Sequence, residues 1–342
     1  MIDTLKTLCG LSGVSGSEDA VRSYIIGRVT PYADEIVTDA MGNVLVQKKG
    51  AKTPDKIVML CAHMDEVGVL VTDITSDGYL KFATVGSVDE RVLPGKSVKF
   101  GTAGKSVYGV IACKATHLYK SAERQKAIKS EDMYIDIGAA SLEEAQSLVQ
   151  KGDSGAFDGA VTEFGDGFFK AKAIDDRFGC AVMLELIESE LPIDCSFAFT
   201  VQEEVGLRGA YTATYRVSPD IAIVLEATTA ADMPSVPAEK KVCKLGGGAV
   251  IPFMDGGAIY DRELYKTLTT LADANGISWQ TKNVIAGGTD AAAVQRSRAG
   301  VKTAAISLPT RNLHSPSCVG KIYDMDAVLN LVRKFLEDMG AR

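Results

Sequence analysis

The chain holds little of what usually advertises chemistry. Among 342 residues there are three histidines and a single tryptophan. Its seven cysteines (Cys9, Cys61, Cys113, Cys180, Cys195, Cys243 and Cys318) include no CxxC pair. That excludes the usual thiolate zinc and redox motifs and leaves reduced, core-buried thiols as the expectation. Lys and Arg nowhere form a run longer than two residues, and the net charge is −7 with a pI near 5.2. Nucleic acid and anionic membrane surfaces are therefore poor partners, and small molecules or peptides better ones. No apolar stretch approaches the roughly 18 residues that would cross a bilayer, and the opening MIDTLKTLCGLSGVSGSE has no basic segment leading into a long apolar one. A cytoplasmic protein without membrane contact is expected. Repeats and low-complexity tracts are absent as well.

What is present is apolar sequence in quantity, 46% of the chain, enough for a large core and for a main domain with a smaller companion. Residues 1–70 read as a helix, a Gly/Ser turn, a second helix (EDAVRSYIIGRV) and strands at NVLVQK and KIVMLCAH. From 71 to 163 the texture changes to short β-rich runs (VGVLVTDI, GYLKFATVG, SVKF, SVYGVIAC, MYIDIG) punctuated by Gly, Asp and Ser, the texture of a small β-barrel or sandwich. One helix interrupts them, opened by Ser141 with Glu144 three residues on, the pattern of a capping box. From 164 strands and helices alternate again to the end. The reading is an α/β fold: a mixed-sheet α/β/α main domain of residues 1–70 and 164–342, interrupted by an inserted small β-rich domain of residues 71–163.

Because histidine is so scarce, the surroundings of each are informative. His63 stands where the apolar run KIVMLCA ends, and ligands in open α/β sheets gather beyond the carboxyl ends of strands. Two residues later, Asp65 points to the same side by the period of a strand and is placed to orient the imidazole. In KAIDDR, Asp175 and Asp176 are adjacent carboxylates that repel unless a cation or an arginine intervenes, so the pair either caps the following helix or binds metal. The run CSFAFTV leads into Glu203 and Glu204, and IAIVL into Glu226, so separate strands each end by delivering acid. His314 follows AAISLP in a turn. Imidazole and carboxylate without thiolate suit Zn²⁺, Co²⁺ or Mn²⁺ better than Ca²⁺. Two ions sharing one carboxylate account for two histidines and three acids, and leave Glu203 free as a general base beside activated water.

As a set, AHMDEVG, KAIDDR, VQEEVGLRGA, LEAT, GGTDAAA and RNLHSP resemble the dinuclear metal aminopeptidases of the tetrahedral (TET) type, which include glutamyl and deblocking aminopeptidases. The resemblance runs nearly end to end. It implies one ion on His63, Asp175 and Glu226 and another on Asp175, Glu204 and His314, with Asp175 as the bridge. It also implies Glu203 as general base, Asp65 as the partner of the first histidine, and a cis peptide before Asp176. The insertion would be PDZ-like and serve assembly into dimers and tetrahedral dodecamers, with His117 in it and not a primary ligand. The GGTD loop (Gly287, Gly288, Thr289, Asp290) would border the active site, with Gly288, Asp290 and Arg311 as substrate contacts. Two positions depart from the family pattern: Glu226 stands for a common Asp, and Cys318 for a common Glu.

Implied, then, is a two-metal enzyme, with Zn or Co first and Mn next, that removes N-terminal residues from peptides with a free N terminus. Hydrolysis of another amide, such as an N-acyl amino acid or a blocked peptide, is the alternative enzymatic reading. A non-catalytic assembly or peptide-binding protein stabilised by metal is the other. A glucanase is disfavoured, because glycosidases need paired carboxylates flanking a sugar.

Overall fold

The computed structural model describes residues 1–101, 106–120 and 126–341, so 102–105 and 121–125 of the expected insertion lie outside the described residues. The chain opens with helices α1 (Ile2–Gly10) and α2 (Asp19–Val29), then strands β1 (Glu35–Thr38), β2 (Val44–Lys48) and β3 (Val58–His63). Next come β4 (Gly68–Ile74), β5 (Leu80–Val85), β6 (Ser97–Phe100), β7 (Val107–Ala112), β8 (Tyr134–Asp136), helix α3 (Leu142–Leu148) and β9 (Ser154–Phe157). The hairpin β10 (Thr162–Phe164) and β11 (Phe168–Ala171) leads to α4 (Ile174–Ile187), β12 (Cys195–Thr200), α5 (Arg208–Val217) and β13 (Ile221–Thr229). The chain closes with β14 (Ala249–Val250), α6 (Arg262–Ala274), β15 (Trp279–Gln280), α7 (Ala291–Gln295), β16 (Lys302–Thr310), β17 (Cys318–Lys321) and α8 (Ile322–Ala341).

The main sheet has eight strands in the order β1-β2-β12-β3-β13-β16-β14-β15. Its middle, β12, β3, β13 and β16, is parallel, and the flanking pairings β1–β2, β2–β12 and β16–β14 are antiparallel. The central strands are near-continuous apolar sequence because both of their faces are covered. On one face Leu60, Ala62, Phe197, Phe199, Ile223 and Leu225 pack against α1, α2, α4, α6 and α8. On the other, Met59, Cys61, Ala198, Ala222 and Val224 pack against the small residues of α5 and α7. The result is a three-layer α/β/α arrangement. Beyond Arg177 helix α4 is apolar except for Glu185, because it lies between the sheet and outer helices, touching β3, β13, α1, α2 and α8. A Phe197→Ala change at this centre would cost about 3–5 kcal/mol.

Strands β4 to β9 close on themselves as a six-stranded barrel, in the order β4-β5-β8-β7-β6-β9, around Val69, Leu80, Phe100, Ile111, Ile135 and Phe157. Where the resemblance implied a PDZ-like fold, the observed form is this closed barrel. The Ser141 hydroxyl accepts from the Glu144 N–H as a capping box requires, while the Glu144 carboxylate reaches back one residue further, to the Ala140 N–H. His117 sits exposed in a short turn between β7 and β8 and belongs to neither of the acid–histidine groups described below. No helix among the described residues is long and apolar enough to cross a membrane.

Candidate metal centre

The parallel register brings the acidic strand ends level. Thr200 pairs with His63, and Val224 with Cys61, so two residues further on Glu226 lies beside His63. Sequence reading placed Glu226 at a strand end, but β13 continues to Thr229 because β16 pairs with it along its full length. The acid nonetheless opens onto the site, since the neighbour on its other side, β3, stops at His63. Its additional methylene is taken up by folding back: Oε1 accepts from the N–H of Ala227 and stays 3.5 Å from His63 Nε2.

Asp175 is the centre of the arrangement. Its Oδ1 lies 3.2 Å from His63 Nε2 and its Oδ2 3.2 Å from His314 Nε2. Glu204 Oε2 is 3.4 Å from the same His314 nitrogen. Two triplets result, His63–Asp175–Glu226 and Asp175–Glu204–His314, each with its ligand atoms within 4.8 Å of one another. The adjacent acids of KAIDDR divide the two roles left open by the sequence. Asp175 faces the histidines, whereas Asp176 caps: it accepts from the N–H of Gly179 at 2.9 Å and of His63 at 3.3 Å. The peptide between them is cis.

The supporting contacts fix both imidazoles. His314 Nδ1 donates to the Ser87 carbonyl, 3.0 Å away on the connection between barrel strands β5 and β6, which leaves Nε2 to face Asp175. His63 Nδ1 lies 3.4 Å from Asp65 Oδ1 and 3.2 Å from the Asp65 carbonyl. Asp65 is wholly buried and accepts from Ser15 Oγ (2.6 Å), the Glu203 N–H (3.0 Å) and the Glu204 N–H (3.1 Å). One carboxylate therefore positions a histidine and the two consecutive glutamates. Beneath it, Glu66 accepts from Lys172 at 2.6 Å and from Arg177 at 3.3 Å, in a buried cluster that ties the HMDE turn to the KAIDDR turn. Basic residues flanking the adjacent aspartates were the available sequence signal for this cluster.

Without a cation the centre is strained electrostatically. Burial pushes the Glu203 and Glu226 carboxyls well above the usual range, reinforced by neighbouring carboxylates. Burial and Asp175 push Glu204 up to about 8. The imidazoles move up despite burial, because Glu226 and Asp175 favour the charged ring of His63, and Asp175 and Glu204 raise His314 to about 9. Buried acids that resist ionisation together, facing two oriented imidazole nitrogens, fit divalent cations.

A cavity of about 320 Å³ opens over this centre. Glu203 lines it, free of the two triplets, together with Asp175, Glu204, Glu226 and His314. Gly287, Gly288 and Thr289 form part of its wall. Asp290 is not in the lining: it is buried behind the wall, with Oδ2 accepting from Thr200 Oγ1 at 2.6 Å. Arg311 is not there either, since its guanidinium pairs with Asp232 through Nε–Oδ1 at 2.6 Å and Nη2–Oδ2 at 2.8 Å. Cys318 turns its thiol to the carbonyls of Asn312 and Ser315, both 3.3 Å away, and so braces the turn that carries His314. Lys282, which no sequence pattern singles out, is 4% exposed and lines the cavity.

The chain matches the profile of the M42 glutamyl aminopeptidase family over residues 42–331. It is 39% identical to a putative aminopeptidase of Acetivibrio thermocellus, over 97% of both chains. A TET aminopeptidase from a marine sediment thaumarchaeon superposes with a TM-score of 0.93 and 35% identity, covering 99% of this chain and 98% of that one. The TET1 peptidase of Pyrococcus horikoshii, described as assembling into a tetrahedron or a large octahedral shell, gives a TM-score of 0.86 with 35% identity over 98% of each.

Proposed function

The chain belongs to the M42 glutamyl aminopeptidase family, and from that premise we propose that it is a two-metal aminopeptidase in which Glu203 is the general base. The observation that carries this reading is Asp175, whose two oxygens each face a different histidine at 3.2 Å. His63, Asp175 and Glu226 would hold one ion and Asp175, Glu204 and His314 the other, with Zn or Co as the first choice and Mn the next. When bound, the ions supply charge neutralisation and Lewis acidity toward water and the scissile carbonyl.

The protein's own groups do the rest. The acid-rich floor of the cavity favours a free α-ammonium and disfavours a blocked terminus, which offers no charge in return. Glu203 takes a proton from the attacking water at its carboxylate and returns it to the leaving amine. Asp65 keeps Glu203 and Glu204 in register with His63 through the backbone N–H groups of both glutamates. The division into residues 1–70 and 164–342 as catalytic domain and 71–163 as an assembly domain belongs to the same proposal. So do a cytoplasmic location and a homo-oligomer built as a dimer or tetrahedral dodecamer.

The test combines metal analysis with matched peptides bearing free and acetylated N termini. Two ions per chain and cleavage confined to free N termini are expected. Cleavage of blocked peptides alone would replace the reading with that of another amidohydrolase. Metal uptake without turnover of any peptide would leave only a binding or assembly role.

A further inference from the structure

Glu203 stands on a turn whose backbone is held from outside. Beyond β12 the chain leaves the sheet, and four successive N–H groups, those of Val201, Gln202, Glu203 and Glu204, each donate to a side-chain oxygen from a remote segment. Asn43 Oδ1 takes the first at 3.0 Å and Asp65 the last two. The second, from Gln202, goes to Glu18 Oε1 at 3.2 Å. On the other side the turn closes on itself, with the carbonyls of Val201, Gln202 and Glu203 accepting from the N–H groups of Gly209, Arg208 and Leu207. Gln202 has a φ of 55°, in the left-handed region that a residue with a Cβ rarely occupies unless its surroundings hold it there. Glu18 is built to do so. It is 3% exposed, and the same oxygen accepts from the Gly16 N–H at 2.7 Å, which fixes the carboxylate within its own loop. That loop, between α1 and α2, is fastened in turn to the HMDE segment: the Gly13 N–H donates to Glu66 Oε1 and Ser15 Oγ to Asp65 Oδ2.

Resting on the aminopeptidase reading above, we propose that Glu18 is a positioning residue for the general base: by accepting from the Gln202 N–H it keeps that residue left-handed and so aims the Glu203 carboxylate at the water it deprotonates. Its part is that of an acceptor oxygen and not of a charge. Without the acceptor, Gln202 has a buried donor to satisfy and a disfavoured φ to relieve, and both are served by a tilt of the peptide that joins it to Glu203. Asp65 still holds the N–H groups of both glutamates, so the metal ligands stay in place. The base does not, and misplacement by about an ångström costs on the order of 100-fold in rate.

The experiment compares metal-loaded native enzyme with Glu18→Met, Glu18→Gln and Glu18→Asp on a tripeptide amide with a free N terminus, reading kcat, KM and bound metal separately. Met fills the same space but accepts nothing, and should lose about 10–100-fold in kcat while KM stays within about threefold and both ions remain bound. Gln offers the same acceptor without the charge and should recover most of the lost rate. Asp keeps charge and burial but stops one methylene short of Gln202, so it should fold and still lose kcat, which keeps the test open if the Met variant does not fold. Adding Gln202→Gly to Glu18→Met should return part of the rate, because glycine adopts a positive φ without an anchor. Native kcat in both the Met and Asp variants overturns the proposal. So does a loss that Gln fails to recover, which would assign the effect to charge. A loss carried by KM, or by departure of metal, would likewise move Glu18 away from the base. If the native enzyme cuts the peptide and the variants match it, this inference alone fails. If the native enzyme cuts no peptide, the aminopeptidase reading fails and this inference falls with it.

Discussion

Replacing Asp65 by asparagine changes one atom and no volume, yet the surroundings of this carboxylate leave no place for an amide. Oδ2 accepts from Ser15 Oγ and the Glu204 N–H, and Oδ1 from the Glu203 N–H, with His63 Nδ1 at 3.4 Å. If the new NH2 takes the Oδ2 position, the Ser15 hydroxyl can rotate and accept, but the Glu204 N–H then faces a donor. If it takes the Oδ1 position, the Glu203 N–H and the imidazole both face a donor. The first placement is the cheaper one and orphans a single backbone N–H, at about 1–3 kcal/mol, while the surviving bonds lose the reinforcement of a charge. A total of roughly 2–4 kcal/mol follows.

The loss is divided between folding and metal binding, because the orphaned N–H belongs to a proposed ligand. Metal affinity should fall about 10–100-fold, as for other partners that orient ligands. The apo protein should unfold on the order of 5 °C earlier. Competition with a chromophoric chelator and thermal unfolding in excess chelator measure the two separately. Affinity within twofold of the native protein together with an unchanged unfolding temperature would refute the argument that Asp65 holds the centre.

Glu203→Gln should keep both metal ions, since Glu203 belongs to neither ligand triplet, and lose about 10²–10⁴-fold in kcat; full activity with both ions bound would remove the general-base assignment. Glu66→Gln removes the one anion between buried Lys172 and Arg177 and should destabilise by about 3–5 kcal/mol, read from denaturant unfolding. Arg311→Met should leave KM within about twofold, in contrast to the substrate contact expected from the sequence, because the guanidinium is committed to Asp232. Burial raises the Asp232 carboxyl, but the bond and charge of Arg311 together with backbone N–H groups, chiefly that of Leu245, outweigh it and hold the group below the usual range. The pair's contribution is therefore complete above about pH 5 and lost as pH falls through the depressed value, so the stability deficit of Arg311→Met should shrink in acid. Chelation should abolish hydrolysis and lower the unfolding temperature in a metal-concentration-dependent way, as mass action requires.

The central strands were legible because burial on both faces leaves a local mark. KIVMLCAH, CSFAFT and IAIVLEA are apolar without alternation, and they form β3, β12 and β13. Glu204 and Glu226 were legible as candidates for a related reason, since charge after such a run is conspicuous, whereas His63 and His314 stood out through the scarcity of histidine and Asp175 through its adjacency to Asp176. The insertion's β texture was readable too, as a small barrel or a sandwich, but the choice between the two was not, since closure depends on pairings such as β4 with β9 between residues far apart in the chain.

The GGTD loop shows where local reading stops. Gly288 and Asp290 are two positions apart, yet one lines the cavity and the other is drawn behind it by Thr200 on a different strand. Arg311 was misplaced for the same cause: nothing beside it in the sequence indicates Asp232, which claims its guanidinium. Lys282 sits in a polar loop like any solvated lysine, and only the convergence of loops from several strands buries it.

Apolar continuity and the scarcity of histidine therefore determined, from the sequence alone, the α/β class and the residue types able to bind metal. The tertiary structure decided which oxygen of Asp175 faces which imidazole, that Asp176 caps while Asp65 holds two glutamates, and that Ser87, 227 residues away, orients His314. Hydrophobic patterning is written in neighbouring residues. Hydrogen bonds and charge pairs are short-ranged in space but not in sequence, so they exist only once the register of the sheet has brought distant loops together.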